Sequence, residues 1–205
     1  VFVSRAIAPS APAARTSAVE AAGSGKLLLW EGGVTPRTLV DASLPGASPS
    51  TPVDVMDPDV SWDGARVVFA GYLPGENAWR IFEVGAGGTG FRQITRSDRT
   101  LDLDRHGAAA AVLAGYDDVD PCYLPDGRIC FVSTRYPGVA PEQRVRATNL
   151  NVVNPDGSDL HRITTERFGA DTPTVDPSTG KIVYSRWWRT LQSVAPPEIP
   201  SAEPV

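Results

Sequence analysis

The sequence predicts an all-β protein assembled from repeated units of four antiparallel strands. The chain has 19 Gly and 19 Pro, spread between short apolar runs, and this pattern is typical of many tight turns rather than long helices. Apolar residues make up 41% of the chain, which is enough for a substantial core. An internal repeat, whose copies begin and end alike, is the most specific of these observations.

Each copy of the repeat begins with a hairpin. The aligned segments are residues 57–64, 120–127 and 173–180, the last with one extra residue. A β-rich run that ends on an aromatic residue follows each of them, at residues 66–69, 128–131 and 181–184. The Asp-Gly or Thr-Gly pair in between predicts a turn, because Gly tolerates the positive φ that such turns require.

A second hairpin completes the unit. Residues 81–95 align without a gap on residues 150–164, and residues 154–157 read Asn-Pro-Asp-Gly. One unit is therefore a four-stranded meander, which cannot bury both of its faces alone and must stack on copies of itself. Radial stacking predicts a partial β-propeller, a fragment of one with roughly six to eight blades. The predicted turn residues are Asp63, Gly64, Asp126, Gly127, Asp156 and Gly157.

The repeat also sets the predicted domain boundaries. Residues 1–24 are rich in Ala, Pro and Ser and predict a linker, and residues 193–205 predict a Pro-rich tail. Residues 25–192 hold the propeller blades, two full and two partial, the first of them reduced to its outer hairpin. Residues 97–117 interrupt the repeat with a small-residue run that can form a short helix. Such an insertion emerges on one face, where loops carry binding function.

Charge and hydropathy narrow the choice of partner. The net charge of -5 and the absence of a basic run argue against nucleic acid as a partner. No apolar stretch is long enough to span a bilayer. We therefore expect the partner to be a protein, or further domains of the same chain.

Several strings resemble repeats of known propellers. Residues 62–64, 124–127 and 154–157, each placed against its strands, resemble TolB-like β-propeller repeats. A narrower likeness, to the propeller domain of hydrazine synthase alpha-subunit-like proteins, lies in residues 116–129, 133–135 and 184–187. In that family's redox enzyme the chemistry belongs to c-type haems in an exported complex. The resemblance therefore implies a periplasmic or otherwise exported protein.

The resemblance implies that this chain shares the family's propeller fold but not its haem-dependent reaction. Covalent haem attachment needs a Cys-x-x-Cys-His motif, and this sequence has none. It also lacks the Gly-x-Ser-x-Gly elbow of serine hydrolases. We therefore expect no catalytic residue, metal or cofactor in this segment.

Four carboxylates are predicted near the central channel, because they stand at the start of the innermost strands: Asp57, Asp59, Asp118 and Asp120. Clustered there, they could bind a cation or a basic group. The alternative is structural, in which they accept hydrogen bonds from the backbone amides of adjacent blades.

A second candidate group follows the second strands of the blades. Arg135, Arg186 and Trp187, with Trp188 beside them, could form a binding rim of the kind found at interaction hot spots. Packing between blades, with Arg stacked on Trp, is the alternative.

Cys122 and Cys130 flank the Asp126-Gly127 turn on neighbouring strands. They are either buried small apolar residues or the halves of a cross-strand disulfide in an oxidising compartment. His106 and His161 have no catalytic partner in the sequence, and ordinary solvated histidines explain them.

These features predict a noncatalytic β-propeller scaffold for protein-protein or interdomain binding in an exported protein. It would use the loops at the channel mouth and the insertion at residues 97–117. The alternative is the propeller portion of a larger haem-dependent redox enzyme that resembles the hydrazine synthase alpha subunit.

Overall fold

A computed structural model describes residues 1–6, 21, 23–33, 35–42, 51–100, 102–140 and 146–187. Within them the chain forms four antiparallel sheets, and we refer to these as blades 1 to 4 in chain order. The predicted Pro-rich tail, residues 193–205, and Trp188 lie outside the described residues.

Blades 2 and 3 are complete four-stranded meanders. Blade 2 contains β4 (Asp54–Val60), β5 (Arg66–Leu73), β6 (Ala78–Gly85) and β7 (Arg92–Gln93). Blade 3 contains β8 (Asp118–Tyr123), β9 (Ile129–Ser133), β10 (Asn149–Val153) and β11 (His161–Arg162). Neighbouring strands pair in sequence order in both blades, which confirms the predicted fold class.

Blades 1 and 4 are shorter. Blade 4 pairs β12 (Ala170–Val175) with β13 (Ile182–Arg186). Blade 1 contains β1 (Phe2–Arg5), β2 (Gly25–Leu29) and β3 (Arg37–Asp41), in that order across the sheet.

Strand β1 corrects the predicted boundary of the first linker. It lies within residues 1–24 and pairs antiparallel with β2, from Phe2 opposite Leu28 to Arg5 opposite Gly25. Arg5 then crosses to blade 2, where its guanidinium donates to both carboxylate oxygens of Asp54 at 3.0 and 2.6 Å. The composition of the first 24 residues is dominated by Ala, Ser and Pro, and this average conceals a four-residue strand.

The core lies between blades because successive side chains of a strand point to opposite faces of its sheet. On β5, Val67 and Phe69 face a cluster shared with blade 1, whereas Val68 and Ala70 face a cluster shared with blade 3. Strand β9 repeats this pattern, since alternate residues join the clusters on either side of blade 3. Both faces of blades 2 and 3 are thus buried by their neighbours.

The insertion at residues 97–117 contains a 3₁₀ segment, Asp104–Ala109, and a single-turn α-helix, α1 (Ala110–Ala114). It connects β7 with β8. In an antiparallel meander, this connection lies on the same side as the loops between second and third strands. We call this side the loop face; its described residues are 74–77, 94–100, 102–117, 134–140 and 146–148. The Asp-Gly hairpin turns lie on the opposite side, the turn face.

Candidate functional site

The innermost strand of each of blades 2, 3 and 4 is interrupted by a bulge. The bulged residues are Asp57, Asp120 and Thr172, which have φ angles of 51°, 52° and 50° and stand immediately before a proline. The strand register shifts at each of them. Proline has no N–H to donate to a ladder, so a bulge is one of the few places in a sheet that accommodate it.

The two bulge carboxylates link one blade to the next. The carboxylate of Asp57 faces the backbone amide of Asp120, and this interaction favours its charged form. Asp120 in turn accepts a hydrogen bond from the amide of Thr172 at 3.2 Å. Asp59 adds a second link between blades 2 and 3, because its Oδ2 accepts the Tyr123 amide at 2.8 Å. These three carboxylates have the geometry of the structural alternative, in which backbone amides of the adjacent blade are their partners.

Their electrostatics follow from partial burial. Burial and the neighbouring carboxylate of Asp120 raise the pKa of Asp57 to about 6. Burial also raises the pKa of Asp59 and of Asp120. Among the described residues, no group of three or more His, Cys, Asp or Glu side chains is arranged to hold a metal ion. A ligand role for Asp57, Asp59 and Asp120 stays a prediction.

Asp118 does not share the environment of the other three carboxylates. It is fully buried within blade 3, where it accepts hydrogen bonds from Ser133 Oγ at 2.6 Å and Arg135 Nη2 at 2.9 Å. The sequence places it two residues before Asp120, but its side chain points into the blade. Its predicted place on the channel rim is therefore wrong.

The three predicted rim residues that follow the second strands also lie in different environments. Arg135 is buried, with its guanidinium 5.1 Å from the Tyr116 ring centroid and ion-paired with Asp118. Arg186 is exposed and pairs with Glu166 at 2.6 Å. Trp187 is 46% exposed. Arg135 thus meets one inner-strand carboxylate, Asp118, in the interior of blade 3, whereas Arg186 pairs with Glu166, so the predicted residues do not share one exposed rim.

The predicted turn residues lie in the hairpins of the turn face. Asp63, Asp126 and Asp156 each accept, through Oδ1, the amide two residues further on, at 2.9 to 3.1 Å. Gly64, Gly127 and Gly157 follow them with φ angles of 71°, 87° and 86°. Hydrogen bonds within these turns lower the pKa of all three aspartates. The result is a set of local Asx-type turns.

The loop face holds a cluster that the sequence analysis missed. Tyr116 is buried between three guanidinium groups, whose central carbons lie 4.4 Å (Arg80), 4.8 Å (Arg99) and 5.1 Å (Arg135) from its ring centroid. We call these four residues the arginine cluster. The Tyr116 hydroxyl donates to the Arg96 carbonyl at 2.8 Å and accepts the Asp98 amide at 3.2 Å. The three arginines are distant in the sequence and meet only in the folded chain, so the repeat pattern gave no indication of the cluster.

The cluster fastens the insertion to blades 2 and 3. Arg99 donates to the carbonyls of Leu113 and Ala114, both at 2.7 Å, and to that of Arg135 at 2.8 Å. Arg146 bonds the carbonyls of Gly115 and Thr134. Burial lowers the pKa of Arg146 to about 10. The insertion therefore forms an ordered part of the loop face.

An open cleft of about 210 Å³ lies beside the arginine cluster and is lined in part by Glu76, Arg80 and Ser97. Ser97 donates to Glu76 at 2.6 Å, and Arg80 donates to both of them. Most of these polar groups are thus occupied by one another.

Stacked four-stranded meanders whose apolar faces bury one another define this chain as a segment of a β-propeller. No known family model matches the chain, and the comparison with curated proteins finds no match. Solved structures do match. Hydrazine synthase from Kuenenia stuttgartiensis superimposes with a TM-score of 0.57 at 16% identity, over 80% of this chain and 24% of that chain.

A putative TolB from Agrobacterium tumefaciens matches with a TM-score of 0.52 at 19% identity, over 80% of this chain and 50% of that chain. At such identities the likeness is one of fold, and it confirms the predicted resemblance at that level. This chain spans half or less of the length of either relative.

Proposed function

We propose that this chain is a noncatalytic propeller segment that binds a further β-sheet domain of an exported protein. The face of blade 4 that points away from blade 3 carries this proposal. Val183, on β13, is 54% exposed. Its equivalents in the repeat, Val68 and Cys130, are fully buried because the next blade covers them.

The repeat indicates the chemistry of the occupant. Val68 is covered by apolar side chains of the β8–β9 hairpin, among them Tyr123 and Phe131. The equivalent occupant of the blade 4 face is another blade with an apolar face, contributed by a further part of the same polypeptide. Burial of an exposed valine stabilises such a contact by about 1 to 2 kcal/mol.

The loop face is the second proposed contact surface. The arginine cluster holds the insertion in place, so a partner would meet a preformed surface and little conformational entropy would be lost on binding. Within the described residues, no helix has the length and apolar character to cross a bilayer. The exported location is supported by the resemblance alone, and fractionation of cells that express the parent gene would test it.

The test measures binding of this chain to the remaining part of its parent polypeptide by titration calorimetry. Val183→Arg should weaken the affinity by about tenfold or more. Ile163→Arg, which also replaces a branched apolar residue that is 41% exposed, should leave the affinity unchanged and serves as the control. Equal effects of the two substitutions, or none from Val183→Arg, would contradict the proposal.

Two further variants test the loop face in the same assay. Arg105→Glu and Lys181→Glu each replace an exposed cation with a carboxylate, the first on the insertion and the second on the turn face. Only Arg105→Glu should weaken binding if the insertion contacts the partner. Dimerisation of the isolated chain that Val183→Arg abolishes would instead identify a second copy as the occupant.

A second candidate function is a propeller portion of a haem-dependent redox enzyme. The likeness of fold to hydrazine synthase favours it. Cys-x-x-Cys-His motifs in the parent polypeptide, with haem absorbance of the purified protein, would support it. A parent polypeptide without such motifs would argue against it.

A further inference from the structure

The two cysteines of the chain lie directly opposite each other. Cys122 on β8 and Cys130 on β9 are partners in the antiparallel register of blade 3. Partner residues of this kind have Cα atoms roughly 4.5 to 5.5 Å apart, within the range that a disulfide bridges. Both side chains also belong to the same apolar cluster, between blades 3 and 4.

The repeat does not explain this pair. The equivalent partners are Asp59 with Val68 in blade 2 and Thr174 with Val183 in blade 4. Blade 3 has replaced both members of one register pair with cysteine. A requirement for small apolar volume alone would not place the only two cysteines of the chain opposite each other.

The surroundings favour a bond between the two sulfur atoms over a role for free thiols. Cys122 is 7% exposed and Cys130 is not exposed at all. A hydrogen bond with Cys130 and burial raise the pKa of Cys122, so the thiolate is disfavoured as a nucleophile or metal ligand. The direct register pairing and the shared apolar cluster place the two side chains next to each other.

We propose that Cys122 and Cys130 form a disulfide bond within blade 3, made by exchange with a disulfide oxidant such as a protein dithiol oxidase or oxidised glutathione. Before blade 4 packs on the hairpin, when the Cys122 thiol is still exposed to water and can ionise, its thiolate attacks one sulfur of the oxidant, whose S–S bond breaks and releases one thiolate. The Cys130 thiolate then attacks the Cys122 sulfur and releases the second. The two protein thiols are oxidised, the oxidant disulfide is reduced to two thiols, and the protons pass through water to the leaving groups.

Burial determines when this exchange takes place. Ala170 of blade 4 belongs to the cluster that contains both sulfur atoms, so the completed blades shield the bond from bulky reagents. We therefore expect it to form while blade 4 is still unpacked, and to resist reduction afterwards. The disulfide would hold the β8–β9 hairpin at the junction of blades 3 and 4. At the equivalent position of blade 2 stands Asp59, whose carboxylate links blade 2 to blade 3.

The test uses the full chain in mixtures of reduced and oxidised glutathione. Free thiols are trapped by alkylation in denaturant and counted by mass spectrometry, and peptide mapping identifies the linked residues. In the folded chain, the ratio of disulfide to dithiol should be about tenfold or more above that of the same chain held unfolded at the same glutathione ratio. By linkage, the disulfide then stabilises the folded state by the free energy that corresponds to this ratio, and the Tm rises.

A Cys122→Ala/Cys130→Ala double variant is the control for folding, and its Tm should not respond to reductant. An equal or lower ratio in the folded chain would overturn the proposal, as would disulfides formed between chains. A wild-type Tm that is the same before and after reduction in denaturant and refolding in the presence of reductant would also overturn it.

Discussion

Replacement of Asp57 by Asn should stabilise the protein, although it removes a charge from a hydrogen-bonded site. Asn keeps the shape of the side chain and an oxygen that can accept the Asp120 amide. It also tolerates the positive φ of this position better than most residues. What the substitution removes is a partly buried negative charge beside a second carboxylate, the two causes that raise the pKa of Asp57.

The magnitude and sign of the effect follow from that pKa. The pKa of Asp57 is about 6 in the folded protein against an ordinary value of 3.8. At a pH above both values, this difference lowers the free energy of unfolding by about 3 kcal/mol. Because the folded state holds the proton more tightly, the wild type loses this stability as the pH rises from 3.8 to about 6. Asp57→Asn should therefore gain up to about 3 kcal/mol near pH 8 and almost nothing near pH 3.5.

Urea unfolding followed by tryptophan fluorescence, at several pH values, measures this difference. Asp63→Asn is the control, since Asp63 is an exposed turn residue whose pKa is lowered by hydrogen bonds. Its substitution should be neutral or destabilising, with any loss larger at high pH. The reasoning is refuted if Asp57→Asn destabilises the protein near pH 8, or if its effect is the same at all pH values.

Two further predictions concern packing. Gly71→Ala should lower the free energy of unfolding, measured by chemical denaturation, by about 1 to 3 kcal/mol, because the new methyl group would lie 2.8 Å from both Phe82 and Pro52. Gly75→Ala, whose methyl group would meet nothing within 4 Å, is the control and should be close to neutral. Equal losses for the two variants would contradict this prediction. Tyr116→Leu should destabilise the protein by about 1 to 2 kcal/mol more than Tyr116→Phe, because only Leu removes the aromatic face from the arginine cluster. Equal Tm values for the two Tyr116 variants would show that the ring contributes nothing beyond its volume.

Local chemistry explains why the hairpins were predictable. The Asp-Gly turns need only a side-chain acceptor and a residue that tolerates positive φ, and both are present within a few residues of sequence. The nearly continuous apolar runs of β5 and β9 likewise indicate two buried faces before any partner is known. The repeated X-Pro step at residues 57–58, 120–121 and 172–173 was visible as well, but its meaning as a bulge was not.

Contacts between distant segments account for what the sequence did not reveal. Strand β1 depends on pairing with β2 and on the ion pair of Arg5 with Asp54 in the next blade. The arginine cluster gathers side chains from β6, the insertion and the end of β9 around Tyr116. No periodicity connects these residues, because their proximity results from the stacking of blades.

The sequence by itself determined the repeated meander, its turns and its assignment to a propeller, because each depends on interactions within one hairpin or on a period shared by the copies. Only the tertiary structure decided the environment of each charged side chain. Asp118 and Asp120 are two residues apart on one inner strand, yet Asp118 is buried against Arg135 within its blade while Asp120 binds the amide of the next blade. The bulge at Asp120 shifts the strand register, and the neighbouring blade supplies the partner of Asp120, so this difference exists only once the blades have stacked.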